Sequence, residues 1–301
     1  MLNYLSALPG AVAQGLIWGL MGLGVFITYK VLDIADLTVD GTLCTGAAVF
    51  SVAMIAGVNP WISLILAILS GLAAGALTGV FHICLGIPAI LAGILTQMIP
   101  WSVNLKILGK PNVSISFRTY PVLLSLSNPP RAILVGVLFA AGVIAMLYWF
   151  FGTELGASVR ATGSNPVMCR AQGINTNMTK ILGLSLSNGI VALSGALLCQ
   201  YQGFTDINMG RGAVVTGLAA VVIGSAIVNK LSLNFAVKLA GVFFGAILYF
   251  LVYQTVIFIG LDSDLLKMLS ALVVTVFLGT PYVKKELSKA GSIRKGGNSR
   301  A

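Results

Sequence analysis

Continuous apolar segments of about 20 residues recur along the chain, separated by shorter polar stretches. A helix needs about 20 apolar residues to cross a bilayer, whereas a strand of an outer-membrane barrel needs only about ten that alternate with polar residues. Hydrophobic residues make up 57% of the 301 residues and charged residues only 9%. Soluble domains carry about a quarter charged residues. The sequence therefore predicts an all-α, polytopic membrane helix bundle.

Nine membrane spans are predicted, within a range of eight to ten. The second span follows a polar stretch at residues 30–40 and ends near residue 57. The fourth span, residues 87–101, is short because Pro100 interrupts it after Gln97, an amide that needs an internal partner in a membrane. The other spans are predicted at residues 9–29, 61–81, 132–151, 181–201, 214–228, 235–259 and 265–282.

Glycines lie inside the apolar runs rather than in polar linkers. In the third span Gly71, Gly75 and Gly79 recur every four residues and so share one helix face. Such a stripe allows another helix to approach closely, and it could also form the wall of a channel. We favour the packing interpretation.

The distribution of positive charge predicts how the chain is oriented in the membrane. The tail, residues 284–301, carries six Lys or Arg residues and one acid, as is typical of cytoplasmic segments. Counting back across the spans puts residues 152–180 in the cytoplasm, and residues 102–131 and the N-terminus outside. The patch FRTYPVLLSL within residues 102–131 is too short to span and could form a half-helix at the membrane surface. The net charge of +10 fits membrane loops, so nucleic-acid binding is not predicted.

Three carboxylates precede the second apolar run. Asp33, Asp36 and Asp40 lie within KVLDIADLTVD, and Asp40 falls inside the predicted membrane boundary. An acid is costly there unless it faces a cavity, a partner or a helix N-terminus. Asp36 and Asp40 therefore either cap the helix that follows or line a pathway, and one residue could do both.

The chain shows a weak internal repeat. An offset of 173 aligns Gly22 with Gly195 and Asp33 with Asp206. Residues 1–101 and 181–283 are the two predicted repeats, and five spans separate equivalent helices, which reverses their direction. Inverted repeats with discontinuous helices build transporters whose pathway runs between the halves. The polar breaks at residues 33–41 and 206–212 would then be equivalent.

The sequence lacks the motifs of an energy-converting or catalytic protein. It has no phosphate-binding loop, no Ser-His-Asp or HExxH arrangement, and no spacing of its four cysteines and one histidine that suggests a metal site. The sequence therefore predicts no catalytic residues and no metal-ligating residues. With few charges embedded in the membrane, an external power source is the natural inference, and a stand-alone secondary transporter or channel is the alternative. A membrane-embedded enzyme or receptor is disfavoured.

Three segments together resemble the permeases of bacterial branched-chain amino acid and ribose-type ABC importers. They are LDIADLTVDGTLCTGAAV at residues 32–49, TELGASVRATGSNPVMCRAQGIN at residues 153–175 and MGRGAVVTGLAAVVIGSAIV at residues 209–228. The sequence LGIPAILAGILTQMIPWSVNLKILGKPN further resembles the branch paired with tryptophan- or tyrosine-type solute-binding lipoproteins. Asp40 and Ser225 stand where many relatives have Gly.

This resemblance implies that residues 152–180 form the cytoplasmic coupling segment, which docks on a separate ATPase. We expect residues 154–160 to continue the preceding helix, and a short helix at residues 166–172 to end at Gly173. The implied ATPase-coupling residues are Arg160, Ala161, Gly163, Asn165, Met168, Arg170, Gly173, Ile174 and Asn175. The two arginines could pair with carboxylates of the ATPase, or they could anchor the segment at anionic lipid headgroups.

The resemblance also implies partners and a pathway. We expect a single transmembrane permease domain, residues 1–301, in the bacterial cytoplasmic membrane, with a second permease chain in a homodimer or related heterodimer. Two ABC ATPase subunits would use ATP and Mg, while this chain would bind no cofactor. A solute-binding protein or lipoprotein would dock where residues 102–131 lie and deliver a small solute. Amino acids, possibly aromatic ones, are favoured ahead of sugars or nucleosides. The implied pathway or gate residues are Asp33, Asp36, Asp40, Gln97, Asn188, Asp206, Gly210 and Gly212.

Overall fold

The protein is a helix bundle in a computed structural model that describes residues 2–115, 120, 122–228 and 234–259, with isolated positions from 268 to 279. Of residues 2–6 only the backbone is described. The elements in chain order are α1 (Leu2–Phe26), a π-helical turn (Ile27–Val31), α2 (Thr38–Ile55), α3 (Pro60–Ile83), α4 (Ala89–Leu108), β1 (Asn112–Ser114), α5 (Pro129–Gly152), α6 (Glu154–Ser164), α7 (Pro166–Ala171), α8 (Thr176–Gln202), β2 (Phe204–Asp206), α9 (Ala213–Val228) and α10 (Phe235–Phe258).

Seven of the described helices are long and apolar enough to cross a membrane: α1 with its π-helical turn, α2, α3, α4, α5, α8 and α10. Helix α9 is apolar but has only 16 residues, about 24 Å of helix. The predicted ninth span at residues 265–282 lies outside the continuously described residues. The all-α membrane bundle predicted from the sequence is confirmed.

Helix α8 forms the centre of the bundle and packs on α1, α2 and α3. It runs antiparallel to α1, because the Tyr201 hydroxyl donates to the Gly10 carbonyl near one end and the Ser187 hydroxyl donates to the Gly24 carbonyl further along. The glycine stripe of α3 packs on this helix, since a Cβ at Gly75 would collide with the Leu184 carbonyl oxygen. The packing interpretation of the stripe is confirmed.

The two ends of the bundle differ in structure. At one end, β1 and β2 pair antiparallel with Val113 opposite Thr205, which joins the segment after α4 to the end of α8. We call this end the strand face. At the other end lie α6 and α7, between the end of α5 and the start of α8. We call this end the α7 face.

Two sequence predictions about local structure are wrong, and a third lies partly outside the described residues. Helix α4 continues through Pro100 to Leu108, so the segment predicted to be external from residue 102 begins as helix. Proline removes one backbone N–H, and membrane helices tolerate this loss when neighbouring groups compensate. Residues 154–160 do not continue α5, because Thr153 is extended, with φ −77° and ψ 165°, and its hydroxyl caps α6 by accepting from the Gly156 N–H. Of the proposed half-helix FRTYPVLLSL, residues 117–119 and 121 lie outside the described residues, and residues 122–126 contain no helix.

Candidate functional site

Two helices begin inside the bundle rather than at its surfaces. Asp36, just before α2, accepts a hydrogen bond of 2.7 Å from the side-chain amide of Asn188, which lies about halfway along α8. Helix α2 then runs towards the strand face, where Ser51 contacts Thr205. Helix α9 begins at Ala213 and runs the opposite way, because Val228 at its end shares a cavity with Arg160 of α6.

Asp40 joins the starts of these two helices. Its carboxylate oxygens accept hydrogen bonds of 2.9 Å from the backbone N–H groups of Gly212 and Val214, at the N-terminus of α9. The N-terminus of a helix carries unpaired N–H groups and a partial positive charge, so a carboxylate is favourable there. Asp40 was predicted either to stabilise the first turn of its own helix or to line a pathway. It lies in the first turn of α2, and its carboxylate also caps a helix that begins 173 residues later.

The turn before α9 is held against α2. The Cys44 thiol donates to the Ile207 carbonyl at 3.3 Å, and the Gly210 N–H donates to the Cys44 sulfur at 3.2 Å. A Cβ at Gly210 would collide with the Asp40 carbonyl oxygen, so a larger residue would displace the turn. Gly212 has φ +86°, a backbone conformation that side chains other than glycine rarely adopt.

A cavity of about 450 Å³ lies at this junction, between α2, α4 and the turn. Its lining residues are Asp40, Gly41, Cys44, Ile94, Gln97, Met98, Trp101, Ser102, Asn104, Ile207 and Arg211. The volume falls within the range of about 300–1,000 Å³ that is common for small-molecule sites. The lining joins a large apolar portion with a few polar side chains, which is the usual composition of such sites.

The predicted pathway residues fall into three groups. Asp40 and Gln97 line the cavity, and Gly210 and Gly212 shape the turn beside it. Asp36 and Asn188 are fully buried in a separate network, in which Asn188 also accepts from the Thr42 hydroxyl at 2.7 Å.

The remaining two predicted pathway residues do not line the cavity, although the Asp206 carbonyl contacts the thiol of Cys44, which does. Asp33 is exposed in the break after the π-helical turn and has φ +55°. Asp206 lies at the end of β2, where it accepts from the Asn208 N–H.

Of the cavity lining, the predicted site residues include only Asp40 and Gln97, and the residues missed include Trp101, Asn104 and Arg211. Trp101 is the last residue of the predicted fourth span and Asn104 falls in the segment predicted to be external, because Pro100 was expected to interrupt the helix. Gln97, Trp101 and Asn104 follow an i, i+4, i+7 spacing, which places them on one face once α4 is continuous. Arg211 lies within the recognised MGRG motif and received no role.

The predicted coupling segment forms two short helices on the α7 face. The Asn165 side chain caps α7 by accepting from the N–H groups of Val167 and Met168, and Asn175 caps α8 in the same way. Gly173, with φ +80°, follows α7. The short helix predicted at residues 166–172 is therefore present. Gly163 packs on the π-helical turn, because a Cβ there would collide with the Val31 carbonyl oxygen.

Exposed apolar side chains and exposed arginines project from this segment. On α7, Val167 is 71% exposed and Met168 is 60% exposed, and the exposed Arg170 follows them. On α6, Arg160 lies over the Phe235 ring, 5.7 Å from its centroid, while Ala161 and, after α7, Ile174 are half-buried. The prediction named Met168 and Arg170 but missed Val167.

A family model and two relatives match nearly the whole length of this chain. A family model for the branched-chain amino acid transport system permease component matches residues 8–278. The tyrosine transport system permease protein of Clostridioides difficile (strain R20291) is 34% identical over 288 residues, covering 96% of each chain. An uncharacterised protein of Rickettsia prowazekii (strain Madrid E) is 34% identical over 94% of this chain and 99% of its own length.

Two further matches are more distant, one in sequence and one in structure. The autoinducer 2 import system permease protein LsrC of Salmonella typhimurium is 30% identical over 63% of this chain and 54% of its own length. Among solved structures, a metal-chelate type ABC transporter in an inward-facing conformation matches with a TM-score of 0.50 and 16% identity. That match covers 93% of this chain and 85% of the other, and it concerns the fold alone.

Proposed function

The chain belongs to the family of branched-chain amino acid transport system permease components, and we propose that its cavity between α2, α4 and the turn before α9 is the solute pathway. The chain is a permease subunit of an ABC importer and a multi-pass protein of the inner membrane. Its own role is to bind and pass a solute, while ATP is hydrolysed with Mg in a separate ATPase subunit.

Helix α7 is the observation that carries the coupling proposal. It has six residues, which is too short for a helix to be stable on its own in water. Val167 and Met168 nevertheless remain largely exposed on it. Exposed apolar side chains on a short, capped surface helix are typical of a surface that a partner covers. We propose that this partner is the ATPase, with Arg170 available for one of its carboxylates.

The proposed orientation in the membrane also assigns the solute-binding protein and the second permease chain. The α7 face is proposed to be cytoplasmic, together with the basic tail at residues 284–301, and the N-terminus external. The strand face, which includes part of residues 102–131, would then receive a solute-binding protein or lipoprotein. Two ATPase subunits would act on two permease chains, either identical or related. Residues 1–101 and 181–283 would be the inverted repeats that rock against each other.

The named relatives narrow the solute only to a class. One is a tyrosine transport permease and another an autoinducer 2 import permease. The tyrosine relative is matched over nearly its whole length, which favours an amino acid, possibly aromatic, over sugars or nucleosides.

Co-purification tests the coupling proposal. The chain would be co-expressed with ABC ATPase subunits from the same genome, and the amount of ATPase retained on the purified permease would be measured. We expect the unmodified chain to retain the ATPase, and Val167→Asp with Arg170→Glu to retain little of it. Lys110→Glu, a charge reversal at an exposed position near the strand face, is the matched control and should retain the ATPase fully.

Two results would contradict this proposal. Equal ATPase retention by the α7 variant and the control would remove the role of α7. No retention by the unmodified chain, together with solute uptake driven by an ion gradient alone, would favour the stand-alone secondary transporter.

A further inference from the structure

A second cavity, of about 310 Å³, lies on the α7 face where α1, α6, α9 and α10 meet. Its lining includes Lys30 of the π-helical turn, Arg160 of α6 and Lys238 of α10. The other lining residues are uncharged and mostly apolar, and among the described residues no Asp or Glu lines it. We call it the basic cavity. Its volume is within the range of about 300–1,000 Å³ that is common for small-molecule sites.

The three cations of the basic cavity are not neutralised within the part of the chain that the structure describes. None makes an ion pair or a side-chain hydrogen bond with another residue there. Arg160 lies over the Phe235 ring, and a cation–π contact offsets only part of its charge. The acids closest in sequence to the first two cations, Asp33 and Glu154, are exposed and do not line the cavity. Like charges that share a cavity repel one another, so this grouping is unfavourable unless an anion joins it.

The helix ends at the basic cavity do not supply the missing negative charge. Helix α9 ends at Val228, so its last carbonyl groups bring a partial negative charge, whereas α10 begins at Phe235 and brings a partial positive charge. These two contributions oppose each other. Lys238 lies in the first turn of α10, where the helix dipole disfavours a cation. The positive charge of the side chains is therefore available for an anion.

An exposed apolar surface continues from the basic cavity along α10, which is one of the candidate membrane spans. Val237, next to Lys238, is exposed, and Phe244 and Leu248 follow it at spacings that place all three on one side of the helix. Phe244 is 62% exposed. A free phosphate ion would use only the charged cavity. A phospholipid would use both features, with its headgroup in the cavity and its acyl chains along α10.

We propose that the basic cavity binds the phosphate-bearing headgroup of an anionic phospholipid. Lys30, Arg160 and Lys238 hold the phosphate oxygens, and the acyl chains lie against the exposed side of α10. Basic pockets between membrane helices bind anionic headgroups in this way. The headgroup connects the π-helical turn, α6 and α10. Arg160 then serves the lipid, and Arg170 is left as the coupling arginine on α7. This inference does not depend on the proposed function, because it uses neither the solute cavity nor the ATPase.

Lipid binding to the purified full-length chain tests the proposal. Native mass spectrometry in detergent would measure the affinity for dioleoyl phosphatidylglycerol and for dioleoyl phosphatidylcholine, which has the same acyl chains but no net charge. Inorganic phosphate would be added as a competitor to separate a lipid headgroup from a free anion. Lys238→Gln is the test variant. Lys180→Gln is its matched control, because both lysines are half-buried near the start of a membrane helix on the α7 face and only Lys238 lines the cavity.

We expect phosphatidylglycerol to bind about tenfold more tightly than phosphatidylcholine. Lys238→Gln and Arg160→Gln should each weaken phosphatidylglycerol binding about tenfold, because each removes a charge-assisted hydrogen bond. Lys180→Gln should change the affinity by less than about twofold. Lys238→Arg keeps the charge and should keep most of the affinity, which separates the loss of charge from a disturbed fold. Millimolar phosphate should displace little lipid.

Four results would overturn the proposal. Equal binding of the two lipids would show that the net charge of the headgroup is not recognised. Equal effects of Lys238→Gln and Lys180→Gln would place the attraction on the whole basic surface and not in the cavity. Equal loss in Lys238→Arg and Lys238→Gln would mean that charge is not what binds. Displacement of phosphatidylglycerol by millimolar phosphate would assign the cavity to a soluble anion.

Discussion

At the scale of single residues, Asp40 shows how one side chain can serve two segments that are distant in sequence. The sequence left open whether Asp40 caps a helix or lines a pathway. In the structure its carboxylate caps α9, and it also lines the cavity that we propose as the pathway. Sequence reasoning could see that an acid at this depth needed a partner. It could not see which partner, because the donors come from Gly212 and Val214, more than 170 residues away.

The capping role of Asp40 predicts a measurable loss of stability. Asp40→Asn leaves one acceptor oxygen for two N–H groups, so one donor loses its bond and the favourable charge at the helix start disappears. We expect the free energy of unfolding in detergent to fall by about 1 kcal/mol. Asp33→Asn is the control, since Asp33 is exposed and Asn tolerates its φ of +55°. The control should change stability by less than about 0.5 kcal/mol, and equal effects at both sites would contradict the capping role.

At the scale of helices, the elements most visible in the sequence were those with long apolar runs, which the bilayer constrains strongly. Caps were also readable, since Asn59-Pro60 starts α3 and Asn165-Pro166 starts α7. The end of α4 was not readable, because a proline is compatible with either a break or a continuous membrane helix. That one ambiguity removed Trp101 and Asn104 from the predicted site, and it shows that the site was harder to predict than the fold.

Close approach between α2 and α8 predicts contrasting effects of two glycine substitutions. A Cβ at Gly46 would collide with the Ala192 carbonyl oxygen, a backbone atom that cannot move without shifting α8. We expect Gly46→Ala to lower the free energy of unfolding by about 1–3 kcal/mol.

Gly142→Ala on α5 is the matched substitution, because nothing lies within 4 Å of a Cβ at that position. It should be neutral or should stabilise the protein by up to about 1 kcal/mol, since alanine favours helix over glycine. Thermal or denaturant unfolding of both variants in the same detergent gives the comparison. Similar unfolding curves for the two variants would contradict the close packing of α2 on α8.

In the molecule as a whole, the starts of α2 and α9 meet inside the bundle, and the proposed coupling segment lies at its surface. Helices α2 and α9 begin near each other and run in opposite directions, which is the arrangement that an inverted repeat would produce. The division into repeats itself stays a prediction. The cavity lies where these helices begin. Gly163 of α6 packs on the π-helical turn, and that turn leads into α2. A movement of the coupling segment therefore has a short physical route to the cavity.

We propose that a separate ATPase drives solute through this chain, and uptake into proteoliposomes distinguishes this from transport by the permease alone. The permease, the ABC ATPase that co-purifies with it and a solute-binding protein from the same genome would be reconstituted together, and uptake of radiolabelled L-tyrosine would be followed with ATP or with an imposed ion gradient. We predict accumulation that requires ATP and Mg and is lost in the Val167→Asp, Arg170→Glu variant. Accumulation by the permease alone under an ion gradient, unaffected by ATP, would contradict the claim.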